Sequence, residues 1–370
     1  MRNACLLALL PLAAAPVLLL AERQPASVQH VEVYKEAGRY GGWPANHGIW
    51  QWGDEILVGF ESGYFKDNQR GHSIDYTRPA EHLLARSTDG GRTWNIERPD
   101  GLKPPPGAKV AGVPAEQGGR EVTPSPGGID FSHPDFVFTA RMANIHTGPS
   151  RFYYSLDRGR SWKGPHALPD FGTAGIAART DYLVDGPSTL TIMLTAAKSN
   201  EREGRVFAAR TTDGGKTWTR LGYVHDEPTD NDYGIMPSTI RLSASSLFTT
   251  VRFRRWIEAY RSDDNGTTWS HVARAVPDTG RGNPPSLVKL KDGRLVVTYG
   301  YRAEPYGIRA RISSDEGRTW DDEVVLRKDA GTWDLGYPRT VERPDGKLVT
   351  VYYYNVGDAE RFIGATIWQP

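Results

Sequence analysis

One octapeptide pattern, Ser/Thr-x-Asp-x-Gly-x-Ser/Thr-Trp, is written five times along this chain. It reads STDGGRTW at 87–94, SLDRGRSW at 155–162, TTDGGKTW at 211–218, SDDNGTTW at 262–269 and SSDEGRTW at 313–320. The aspartates fall at 89, 157, 213, 264 and 315, so successive copies are 68, 56, 51 and 51 residues apart. Periods of this length belong to repeat architectures, in which one supersecondary unit is copied along the chain. The octapeptide itself has the chemistry of a hairpin turn. Its Asp accepts hydrogen bonds from backbone N–H groups further along the turn, its Gly takes a positive φ that a β-carbon would penalise, and its Trp opens the next strand. The five aspartates are therefore expected to be structural, neither catalytic acids nor calcium ligands.

Between the octapeptides a second repeat appears. NPPSLVKLKDGRLVVTYG (283–300), MPSTIRLSASSLFTTVR (236–252) and YPRTVERPDGKLVTVYYY (337–354) align, with a weaker copy in WPANHGIWQWGDEILVGF (43–60). Each is a strand, a turn and a second apolar strand. A third strand leads into each octapeptide and a fourth follows it. Four antiparallel strands per repeat are the blades of a propeller. After the fifth octapeptide the tail supplies only three strands, and VQHVEVYKE at 28–36 is the candidate for the fourth. The expected fold is all-β, a six-bladed β-propeller of four-stranded antiparallel blades over 28–370, closed by the N-terminal strand. The high content of Gly (40), Trp (11) and Tyr (17) suits short strands, tight turns and filled gaps between sheets.

Residues 1–21 read as a signal peptide: Arg2, then the apolar run to Ala21, then polar ERQPAS. The expected destination is secreted or periplasmic, with no membrane attachment after cleavage. The single cysteine, Cys5, lies inside this segment, so the mature chain has no disulfide and no thiol chemistry. The formal net charge of +1 offers no basic field for nucleic acid. No Gly-rich phosphate loop, HExxH helix or Cys/His metal cluster is present, so no metal and no cofactor is expected. A monomer is expected.

The repeated octapeptides, their spacing and the six-blade count resemble the sialidase (neuraminidase) superfamily, over essentially all of the mature chain. The resemblance implies three arginines that bind a sugar carboxylate, a Tyr nucleophile polarised by a Glu, and an Asp acid/base in an early loop. Residue by residue, it implies Tyr337 in GYPRTVERPDG as nucleophile and Arg252 in SLFTTVRFRRW as second arginine, with Arg254 and Arg255 as rivals. The third arginine falls on Arg309, with Arg302 and Arg311 as alternatives. The acid/base falls on Asp75 in GHSIDYTRPAEH, with Glu81 as rival, in a loop that also carries His72, Arg78 and His82. Two positions depart from the pattern. Gly42 in GWP stands where the first arginine belongs, with Arg39 three residues earlier, and Met236 in GIMPS stands where the polarising glutamate belongs.

The residues before the inner-strand prolines, Trp43, His133, Met236, Asn283 and Tyr337, are expected to gather at the channel mouth. His47, Asp135, Asp232, Tyr233, Asp334 and Arg339 are expected nearby. A histidine such as His47 or His133 would be poised as a base near neutral pH. Arginines grip a carboxylate bidentately, and Trp and Tyr faces stack on sugar rings, so an acidic glycan is the expected partner. The leading expectation is an exo-acting glycoside hydrolase releasing sialic acid or a related acidic sugar. The alternatives are a uronic-acid polysaccharide lyase on the same fold and a non-catalytic glycan-binding propeller.

Overall fold

Six small antiparallel sheets succeed one another along the chain in the computed structural model, which describes residues 23–370 except 69, 111, 358 and 359. The expected signal peptide lies outside the described residues. Blade 4 shows the repeat in its plainest form: Ile235–Arg241, Leu247–Arg252, Ile257–Ser262 and Ser270–Val276, each paired with the next. Blade 5 repeats this with Ser286–Lys289, Leu295–Tyr301, Gly307–Ser313 and Val324–Arg327.

Ring closure is as the termini suggest. Blade 6 contains Gly336–Glu342, Leu348–Tyr354 and Phe362–Trp368, and its outer strand is Val28–Tyr34 from the other end of the chain. Val28 faces Trp368 and Val31 faces Ala365 in this register. The seam is apolar: Val33, Tyr34, Ile363, Ala365 and Ile367 join the blade 1 residues Val58 and Phe60 in one buried cluster. Burial of this kind is worth about 25 cal/mol per Å² of apolar surface.

Three blades depart from four simple strands; in blade 3, Ile176–Ala177 and Tyr182–Val184 both pair with Leu190–Ala197. In blade 1 the inner position is split between Arg39–Gly42 and Ile49–Trp52, which both pair with Glu55–Tyr64. A one-turn helix, Pro44–His47, fills the gap. Blade 2 has three strands, Val137–Met142, Ser150–Ser155 and Lys163–Ala167. The stretch before it, with Pro124, Pro126, Gly127, Gly128 and Pro134, supplies few ladder donors.

The octapeptides fold as their chemistry requires. In the first, Asp89 Oδ1 accepts from the amides of Arg92 and Thr93 at 2.9 Å, and Oδ2 accepts from the Thr93 hydroxyl at 2.7 Å. Trp94 Nε1 donates back to the Gly91 carbonyl at 3.0 Å. The same Trp-to-Gly bond recurs at Trp162, Trp218, Trp269 and Trp320. Against the opposing effect of burial, these bonds hold the Asp89 carboxyl down at about 2.

Candidate functional site

Three residues that precede proline adopt left-handed backbone: Trp43 (φ 55°), Met236 (φ 53°) and Tyr337 (φ 50°). Each opens the inner edge of a blade. Left-handed backbone without glycine costs on the order of 1–3 kcal/mol per residue and persists only where the surroundings enforce it. At Tyr337 the enforcement comes from Asn283, fully buried, whose Oδ1 accepts from the amides of Tyr337 (3.0 Å) and Gly300 (3.1 Å). Gly336 packs on the same amide, and a Cβ there would lie 2.4 Å from Asn283 Nδ2.

Trp43 and Tyr337 line a cavity of about 760 Å³ at one end of the ring. Eight Lys or Arg side chains line it, against four carboxylates. The chain as a whole is nearly neutral, so this concentration of cations is local and favours an anionic ligand.

Arg252 reaches Tyr337 across the cavity floor. Its Nη1 donates to the Tyr337 hydroxyl at 3.1 Å and contacts the Met236 sulfur at 3.5 Å. The Arg302 guanidinium lies 5.3 Å from the Tyr337 ring centre. Burial opposes ionisation of the phenol more than any other single influence, yet the charges of Arg252, Arg302 and Arg179 together hold it below its ordinary value. No carboxylate is hydrogen-bonded to the phenol among the described residues, because Met236 occupies the neighbouring pre-proline position.

His72 forms a second centre. Its Nδ1 lies 2.5 Å from Asp334 Oδ1, and its ring stands edge-on to Trp43 at 5.1 Å. Asp334 is buried, with further bonds from the Ser73 amide, Tyr353 hydroxyl and Arg361 Nε. Burial works against its charge, but His72 and Arg361 hold the carboxyl well below the usual carboxylate range. This arrangement fixes the imidazole and leaves Nε2 as the ring nitrogen for the cavity. Tyr353 also accepts from Arg302 Nη2 at 2.7 Å, so His72 and Tyr337 share one supporting network.

Glu61 is the third centre. It is 5% exposed on the strand Glu55–Tyr64 and lines the cavity. Its Oε1 is 3.1 Å from His47 Nε2, while the buried Oε2 has no hydrogen-bond partner among the described residues. Burial pushes this carboxyl up to about 7 against the opposing charges of Arg141 and Arg179. Burial likewise keeps His47 well below its ordinary value, with Arg141 adding to the effect.

Several expected positions differ. Asp75 does not line the cavity. Its carboxylate turns back onto the Thr77 amide (3.0 Å) and hydroxyl (2.7 Å), and these bonds hold it ionised. Arg309 points away from the cavity: it pairs with Glu323 and lies 3.4 Å above the Tyr301 ring. Arg302 is the blade 5 arginine that approaches Tyr337. Arg339 is spent inside the ring, donating to the carbonyls of Ala45 and Thr180. His47 is fully buried behind Glu61, and His133 accepts from the Asp135 amide at 3.2 Å outside the cavity lining. Gly42 has no room for an arginine, since a Cβ would fall 2.5 Å from the Tyr40 ring. Arg39, its neighbour, is bound to Ser62 and Glu81.

The residues that sequence reading missed are Glu61, Arg141, Arg151, Arg179 and Glu203, all on the cavity wall. For Glu61 and Arg141 the signal is a charge set inside a largely apolar, buried strand, as in EILVGFESGY and VFTARM. Arg179 and Glu203 pair with each other at 3.0 Å.

The comparisons with known proteins agree with the fold. Residues 131–350 match the family described as BNR repeat-like domain. A sialidase of Bacteroides fragilis (strain YCH46) is 24% identical over 239 residues, which is 60% of this chain and 40% of that protein. A protein of unknown function from Dyadobacter fermentans DSM 18053 superposes with TM-score 0.68 at 20% identity, covering 93% of this chain and 99% of that one. An α-L-arabinanase of Penicillium chrysogenum, solved with arabinobiose, gives TM-score 0.60 at 15% identity, with the same coverage. The NanB sialidase of Streptococcus pneumoniae gives 0.57 at 11%, covering 88% of this chain and 68% of that one. The chain belongs to the BNR repeat-like domain family and folds as a six-bladed propeller.

Proposed function

We propose that this protein is an exported glycoside hydrolase that removes a terminal acidic sugar, sialic acid first among the candidates, in the cavity framed by Tyr337, His72 and Glu61. One observation carries the reading: a tyrosine held by Arg252 at 3.1 Å, with its phenol made more acidic by arginines, in a cavity rich in cations. Relatives and structural neighbours that are glycosidases support it. The arginines neutralise the sugar carboxylate. The Tyr337 phenol gives up its proton to solvent, its oxygen attacks the anomeric carbon as the glycosidic C–O bond breaks, and Glu61, neutral up to about pH 7, gives its proton to the departing oxygen. Water then releases the sugar, with His72 as the base.

The test is hydrolysis of a fluorogenic α-sialoside, beside an α-L-arabinofuranoside, by wild type and Tyr337→Phe. Release by wild type from the sialoside and loss in the variant support the proposal. Turnover of the arabinoside alone replaces the acidic sugar with a neutral one.

A second reading is favoured by the His72–Asp334 pair and by Met236, which leaves Tyr337 without a carboxylate. In a uronic-acid lyase, Arg252 neutralises the carboxylate, His72 takes the α-proton, and Tyr337 protonates the leaving oxygen. An ultraviolet-absorbing unsaturated uronate would mark this route.

A further inference from the structure

Arg141 and Arg151 face each other directly across the blade 2 ladder, on Val137–Met142 and Ser150–Ser155. Residues in direct register place their side chains on one face, and like charges there repel. Both are deeply buried, at 5% and 4% exposure. Buried charges in proteins are ordinarily paired. Here, among the described residues, no carboxylate lies within ion-pair distance of either guanidinium.

The bonds they do make are to neutral groups. Arg141 donates from Nε to His82 Nδ1 at 3.1 Å and from Nη1 to the Ala140 carbonyl at 2.9 Å. Arg151 donates from Nε to the Tyr153 hydroxyl at 3.1 Å and from Nη1 to the Met142 carbonyl at 3.4 Å. His82 is kept uncharged by burial and by these same two arginines, so its Nε2 carries the ring proton. Glu61 exerts an opposing charge on Arg141, but burial disfavours its ionised form and its Oε1 is engaged by His47. Arg141, Arg151 and His82 all line the cavity that holds Tyr337. Two adjacent cations and an imidazole N–H therefore converge on one wall without a counter-ion.

From this geometry we infer that Arg141, Arg151 and His82 form a second anion subsite, distinct from Arg252, that takes a carboxylate or sulfate-type oxyanion. The repulsion between the two guanidiniums is relieved when the anion bridges them. A single molecule that reaches both this wall and Tyr337 carries two anionic groups, which makes the substrate an acidic oligosaccharide longer than one sugar. That extension to the substrate rests on the glycosidase reading. The anion subsite does not.

The test uses selenate and acetate rather than an unidentified glycan. Wild-type crystals soaked in millimolar selenate are expected to show anomalous density between Arg141 and Arg151. In Arg151→Gln this peak disappears and the solution affinity for selenate falls about tenfold or more, while Arg252→Gln leaves it in place. Displacement by acetate identifies a carboxylate subsite, and retention of selenate against acetate identifies a tetrahedral oxyanion. Because one of two repelling charges is removed, Arg151→Gln is expected to melt at or above the wild-type temperature. No density at this wall overturns the inference, and the same density in Arg151→Gln means an adventitious ion only and overturns it as well. So does a melting temperature several degrees lower in that variant, which would show Arg151 to be a structural strut. Selenate binding without sialoside hydrolysis leaves the subsite standing and removes the glycosidase reading. Hydrolysis without selenate binding does the reverse.

Discussion

Arg252 Nη1 stands 3.1 Å from the Tyr337 hydroxyl and 3.5 Å from the Met236 sulfur. One cation thus bridges the residue proposed to react and the methionine that fills the neighbouring pre-proline position. The tyrosine is made acidic by positive charge rather than by an adjacent base. The cost is that the phenol loses its proton to solvent or substrate, since methionine cannot take it.

Ultraviolet titration checks this directly. One tyrosine in wild type is expected to ionise below the ordinary phenol range and to be missing from Tyr337→Phe. Arg252→Gln removes the attracting charge, so the same group moves upward. If hydrolysis is observed, both variants are expected to lose about a hundredfold or more in rate. An unchanged tyrosine titration in Arg252→Gln would break the link.

The propeller was legible because its signals are local. Each octapeptide carries its own hydrogen-bond acceptors and turn glycine, and five copies set the period. Among the residues named from the sequence, Trp43, His72, Arg252 and Tyr337 line the cavity, and Trp43 and Tyr337 are the ones that the proline after them announces. Asp75 and Arg309 failed for a different reason. Their side-chain directions are set by partners, Thr77 and Glu323, that sequence spacing does not rank above the cavity. Glu61 and the pair Arg141–Arg151 come from neighbouring blades 1 and 2, and both line one cavity only once those blades are packed side by side.

Glu61 gives stability a defined pH dependence. Its folded carboxyl is raised to about 7, above the usual range near 4.5, so between these values the native state binds a proton that the unfolded chain has released. The contribution of Glu61 to stability therefore falls as pH rises through this window and levels off above it, while His47 and His82, held well below their ordinary value by burial, contribute in the opposite sense, so the Glu61 part is read as the difference from Glu61→Gln. Relative to wild type, Glu61→Gln is expected to gain up to about 3 kcal/mol between pH 5 and 7.5. Parallel melting curves of the two proteins across that range would refute it.

The octapeptide aspartates act at the other end of the scale. Asp89, Asp213, Asp264 and Asp315 are all held at about 2. Their contribution is complete above the unfolded value near 3.8 and is lost as pH falls through 2. Acid unfolding is expected between pH 4 and 2. Asp89→Ala removes acceptors for two amides and two hydroxyls, which costs about 1–3 kcal/mol at neutral pH and weakens the acid dependence. Melting temperature against pH for the two proteins decides this.

Gly336 shows how the scaffold holds Tyr337. Its φ of 104° is open to glycine and strained for other residues. A Cβ there would lie 2.4 Å from Asn283 Nδ2 and 2.6 Å from Oδ1, and that Oδ1 is the acceptor for the Tyr337 amide. Gly336→Ala is therefore expected to destabilise the fold by about 1–3 kcal/mol and to displace the phenol from Arg252. The low-lying tyrosine titration would then move upward although neither Tyr337 nor Arg252 has changed. Asn283→Ala removes the acceptor while leaving the glycine backbone relaxed, so it is expected to move the titration with a smaller loss from strain. If Gly336→Ala lowers the melting temperature but leaves the tyrosine where it was, Asn283 supports the blade without positioning the phenol.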